Sequence, residues 1–169
     1  MFSKIDIRDI VRDHFATLVD YETGRRSFSD HILFVVIPLI ASGVLLLLRI
    51  QLSEPAVTVL ITALSIFAGL LFNLLVLIDS LADRKAAPTG DSDARLMMKS
   101  IYANLSYAVL ISLLTLVPLC LFALTQNCTV RVVTSGFSYF LISHFLLTLL
   151  MVLKRIHALL AHEFSRPRV

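Results

Sequence analysis

Cysteine, tryptophan, glycine and charge are all scarce in this sequence. Of its 169 residues two are cysteine, none is tryptophan, five are glycine, five are proline and 16% are charged. Cys120 falls inside an apolar stretch and Cys128 in a short polar turn, which excludes a disulfide framework and any paired metal-ligand spacing. No metal or other cofactor is expected. Paired carboxylates within the apolar segments, a nucleophile elbow and a glycine-rich phosphate loop are all missing, so the chain does not read as an enzyme. Two loose Arg-spacer-His patterns, Arg8 with His14 and Arg155 with His162, match HEPN ribonucleases, but those sites need a soluble helical bundle that the first thirty residues are too short to build.

Charge is absent in blocks. Residues 32–48, 56–78, 100–130 and 132–153 contain no Lys, Arg, Asp or Glu. Each block is near or above the roughly 17 to 25 residues that a helix needs to cross hydrocarbon. Backbone groups in lipid must pair internally, and the runs lack the alternating polarity of a barrel strand, so helices are the expected spanning form. A hydrophobic fraction of 57% and a mean hydropathy of +0.86 agree. The expected fold is all-α: a polytopic membrane protein with four transmembrane helices in two hairpins, preceded by an amphipathic helix.

Thirteen of the fifteen Lys and Arg residues lie before the first block, between the second and third, or after the fourth. The positive-inside rule then puts residues 1–26, the loop at 81–99 and the tail at 154–169 in the cytoplasm, with spans at about 31–50, 56–79, 101–124 and 132–153 in a transmembrane unit covering 27–153. The net charge of +3 reads as topology, and no basic and aromatic interleaving points to direct nucleic-acid binding. No small-residue cleavage pattern follows the first block, so it is expected to remain in the mature chain.

From Lys4 to Val19 the residues Ile7, Ile10, Val11, Phe15, Leu18 and Val19 recur at helical spacing among charges. This helix can lie on the membrane, dock on the spans or bind a partner protein. Arg8, Arg12, Arg25 and Arg26 are the candidate contacts to a partner or to anionic lipid. A glycine-centred turn at 21–26 and a capping pair, Ser27 with Asp30, precede the first span, in which Pro38 removes a backbone donor and Gly43 permits close packing. Pro88 and Gly90 mark a loop at 86–92, and Asp93 is placed to cap the third helix.

Inside the spans the strongest positional signal is Thr58, Thr62, Ser65, Gly69 and Asn73, at intervals of four, three, four and four along one helix face. Such a stripe serves helix packing, within the chain or between copies, or lines a pore of several subunits. Asn104, Ala108, Ser112 and Thr115 form a second stripe able to pack against the first, and Gly136, Tyr139 and Ser143 a short third. His144 is the one ionisable side chain at mid-depth, which makes it a candidate for gating unless a neighbouring helix satisfies it. No carboxylate lies deep in any span, which counts against the proton-coupled small multidrug transporters.

The segment Phe15-Ala16-Thr17-Leu18-Val19-Asp20-Tyr21-Glu22-Thr23-Gly24-Arg25, followed by Phe28-Ser29-Asp30 and a proline-containing first span, resembles a group of small bacterial four-pass proteins, as does Leu71-Phe72-Asn73-Leu74-Leu75-Val76-Leu77. Proteins of this kind are encoded beside antiphage systems, among them the membrane component of Kiwa and accessory membrane proteins of CRISPR loci. The resemblance covers residues 15–80. It implies an inner-membrane effector or sensor of antiviral defence working with a cytoplasmic defence protein; assembly as a homo-oligomer is expected from the Thr58 to Asn73 stripe, and the reading from another class is a small transporter or channel subunit.

Overall fold

A computed structural model describes residues 7–17, 28–84 and 92–164. The turn at 21–26, the Ser27 and Asp30 capping pair, Arg25, Arg26, the loop at 86–91, and the side chains of Asp93 and His162 lie outside what is described. Five helices follow in order: α1 (Arg8–Ala16), α2 (Phe28–Leu47), α3 (Glu54–Arg84), α4 (Ser92–Leu124) and α5 (Cys128–Phe164). No strand occurs among the described residues. The blocks at 32–48, 56–78 and 132–153 each lie almost wholly within one helix, and the block at 100–130 covers the end of α4, the turn at 125–127 and the start of α5. Apolar residues such as leucine lose little freedom in a helix, and Pro38 and Pro118 are the interruptions inside α2 and α4.

Three helices are long and apolar enough to cross a membrane, over Glu54–Ser80, Leu96–Leu124 and Cys128–Ala161, while α2 has a shorter apolar run at Ile32–Leu47. The outer surface of the molecule agrees with that length. Leu39, Ile40, Leu70, Val76, Leu113 and Leu146 are all more than half exposed. Apolar surface this continuous is what lipid, rather than water, covers.

The helices pack in the order α3, α4, α5, α2, each lying along the next, and α1 rests on α4. The expected pair of hairpins is therefore only half present. α4 and α5 form one across a three-residue turn; α2 and α3 do not lie along each other. The connection between α2 and α3 shows how the chain turns away. Arg49, at φ 55°, closes α2 with Arg49 N–H to Leu46 O and Ile50 N–H to Leu45 O at 3.0 Å each, a left-handed cap in a position that favours glycine. The chain then crosses toward α5, where Tyr139 Oη donates to Ile50 O at 3.0 Å, and Leu52 sinks into the core. At the start of α3, Glu54 reaches Arg131 of α5 at 3.6 Å, and the Arg131 guanidinium sits 4.3 Å over the Phe122 ring of α4.

α3 buries Val57, Leu64, Leu71 and Ile78, a seven-residue repeat that makes a narrow seam against α4. α4 is the central helix, with Ile101, Asn104, Leu105, Ala108, Ser112, Thr115 and Leu119 all buried. Close approach occurs at Gly136 rather than at Gly43. A Cβ on Gly136 would lie 2.7 Å from Leu46 Cδ1, Ser42 Oγ donates to Gly136 O at 2.7 Å, and Gly43 has nothing within 4 Å. Overpacking a tight contact costs about 1–3 kcal/mol, so Gly136→Leu is expected to lower thermal stability in detergent by that amount. Gly43→Leu, facing open space, is expected to change it by less than about 0.5 kcal/mol.

A polar node joining four helices

His144, near the middle of α5, is almost fully buried, and both ring nitrogens are engaged. Nδ1 lies 2.9 Å from the carbonyl oxygen of Phe34 on α2 and Nε2 lies 2.8 Å from Tyr107 Oη on α4. A backbone carbonyl only accepts, so Nδ1 carries the proton, and in the neutral ring Nε2 accepts from the tyrosine hydroxyl. The Phe34 carbonyl needs an outside donor for a definite reason. Its partner within the helix would be the N–H of residue 38, which is proline and has none. His144 supplies the bond that Pro38 removes.

Tyr107 extends the node toward α1. The imidazole of His14, fully buried, stacks on the tyrosine ring with centroids 3.8 Å apart and planes 7° from parallel, and meets Phe34 edge-on at 6.0 Å. His14 Nδ1 donates to Asn104 Oδ1 at 2.8 Å; the orientation of that amide is set by Nδ2 donating to Ser100 O at 2.8 Å. The Thr17 hydroxyl lies 2.9 Å from Asn104 Oδ1 and 2.7 Å from His14 O. Arg155, two residues beyond the uncharged block that ends at Leu153, donates to Thr17 O. α1, α2, α4 and α5 thus meet through rings and hydrogen bonds at one level.

The stripe on α3 lies elsewhere. Thr58, Thr62, Ser65, Gly69 and Asn73 are all exposed on the outer flank of α3, turned by roughly 140° from its buried seam at about 100° per residue. Packing within the chain is thereby corrected. The three hydroxyls donate to their own helix, to Glu54 O at 3.1 Å, Thr58 O at 2.9 Å and Ile61 O at 2.8 Å, and the Asn73 amide has no bond to a described residue. Nor do the two stripes meet, since Asn104, Ala108, Ser112 and Thr115 are buried on the other side of the α3–α4 seam. His144 and Asn73 are therefore separate features.

Arg8 and Arg12 lie on the exposed face of α1, where Arg12 pairs with Asp9 at 2.8 Å and approaches Asp13 at 3.9 Å. His14 does not share that face, so the Arg8 and His14 pattern does not converge. Sequence reasoning missed the structural parts of His14, Tyr107 and Phe34. The signals existed: His14 is seven residues from Ile7 and therefore on the apolar side of α1, and Pro38 marks residue 34 as an unpaired carbonyl. No metal-binding group of His, Cys, Asp or Glu is present among the described residues.

No protein family, curated protein or solved structure matches the chain.

Because Pro38 creates the need that His144 meets, the two residues are expected to be coupled. His144→Leu should cost about 1–3 kcal/mol by orphaning Phe34 O and Tyr107 Oη. In a Pro38→Ala background, where residue 38 regains its N–H, the same substitution should cost about 1 kcal/mol less, measured as a double-mutant cycle of thermal unfolding.

Proposed function

We propose that the chain is a four-pass, non-enzymatic subunit of the bacterial inner membrane, with both termini cytoplasmic, that assembles with copies of itself through the outer face of α3. In this reading it works with a cytoplasmic defence protein during viral infection, disturbing the membrane or sensing its disturbance. The observation that carries self-assembly is the exposed stripe of small and hydroxyl residues ending in Asn73. Asn73 lies seven residues inside the end of the apolar run at Ser80, roughly 10 Å into hydrocarbon, where an amide without a partner is costly. A second copy brings an identical amide, which can both donate and accept, and Gly69 and Ser65 one and two turns away let the backbones approach.

The basic residues gathered at one end of the helices support the orientation, and the resemblance of residues 15–80 supports the antiviral setting. The alternative is a small transporter or channel subunit, which needs no partner; solute flux through the purified chain alone in proteoliposomes would favour it.

Interhelical amide bonds are worth about 1–2 kcal/mol, so Asn73→Leu and Gly69→Leu are each expected to weaken self-association in membranes about tenfold, read by energy transfer between labelled copies. Their thermal stability as monomers should change little, because both positions are exposed and nothing described lies within 4 Å of a Cβ placed on Gly69. Unaltered association in both variants would contradict the interface.

A further inference from the structure

We propose that α1 is a releasable latch, keyed into the spans through His14 and Thr17, whose docked position is passed to α2 through Tyr107 and His144. This deepens the four-pass reading above and rests on it. Asn104 lies five residues beyond Lys99 along α4, roughly 7 Å into the apolar layer, and Tyr107 lies about a turn deeper. α1 therefore brings polar groups to a depth where they must be satisfied by protein.

Three observations make it a latch rather than a fixed part of the bundle. First, Asn104 Oδ1 receives donors from α1 at two atoms, His14 Nδ1 and Thr17 Oγ1, so undocking removes both together and leaves no partly docked compromise. Second, the apolar grip is small in extent: on α1 only Ile10, Val11 and Phe15 are partly buried against the spans, and His14 alone is buried completely. Third, α1 has nine residues and no side-chain N-cap, too little to persist as a helix in isolation. Docking and helix formation are one event, the behaviour expected of the low-stability end of a structure.

The docked state is felt across the node because each step is a direct contact. His14 covers one face of the Tyr107 ring, the Tyr107 hydroxyl holds His144 Nε2, and His144 Nδ1 holds the Phe34 carbonyl that Pro38 leaves unpaired. The exposed side of α1 carries Arg8, Asp9, Arg12 and Asp13, with Arg12 matched by carboxylates, so this face stays in water within reach of a cytoplasmic protein instead of adhering to anionic lipid.

The test uses the full chain in inside-out membrane vesicles, with Cys120→Ser and Cys128→Ser, a single Val11→Cys reporter, and Arg12→Cys as the exposed control. A membrane-impermeant maleimide should label the Val11→Cys reporter about tenfold more slowly than the control. Adding Asn104→Leu should bring the two rates within about twofold; Thr17→Val, which touches only the edge of the node and spares the bundle, should close part of the gap. Equal rates in the otherwise native chain, or protection that survives both substitutions, would overturn the latch. Labelling of the Arg12→Cys control only from the opposite membrane face would overturn the orientation beneath it, and the latch with it.

Discussion

A proline four residues after Phe34 leaves that residue's carbonyl without its helical partner, and the arrangement of the chain follows from how that carbonyl is satisfied. Phe34 is buried, which leaves little access for water to replace that partner. The donor comes from His144 on α5, which draws α2 against α5 and away from its neighbour in sequence, α3. Close approach at Gly136 and the bond from Ser42 to its carbonyl extend the same contact toward the turn end of the molecule. The left-handed cap at Arg49 and the crossing near Tyr139 are the local consequences.

The same requirement orders the other polar groups. Hydroxyls on the spans turn back to their own helix, as Thr115 and Thr148 do with Ile111 O and His144 O. Ser135 and Ser138, buried in α5 without a hydrogen-bond partner for their hydroxyls among the described residues, serve as small residues beside Gly136. Groups too large to turn back are paired across helices, which is why His144, Tyr107, His14 and Asn104 gather at one level. Asn73 departs from this pattern on the surface of α3, and its lack of a hydrogen bond to any described residue is the physical basis for proposing a second copy there.

The helices were legible in the sequence because absence of charge over twenty or so residues is an unambiguous signal. Their neighbours were not. Two hairpins follow naturally from two short connections, yet a six-residue connection is also long enough to cross a neighbouring helix end, and Pro38 decides between the two only once its acceptor is matched with a donor a hundred residues away. His144 stood out as a mid-depth imidazole, while its partner Tyr107 was hidden as one more apolar span residue. His14 was obscured by charged neighbours, although its spacing from Ile7 placed it on the apolar face. The α3 stripe was visible as a stripe; which way it faced depended on the seven-residue seam of Val57, Leu64, Leu71 and Ile78, whose partner helix no local pattern names.

The central claim is that His144 holds the carbonyl freed by Pro38, and it fixes which ring nitrogen carries the proton. Long-range proton–nitrogen correlation spectra of the imidazole of His144, in the chain reconstituted in lipid, measure this directly. The account predicts a single Nδ1–H tautomer with Nε2 unprotonated and shifted by its bond from Tyr107. A ring protonated at Nε2, or one averaging between the two tautomers, would contradict it.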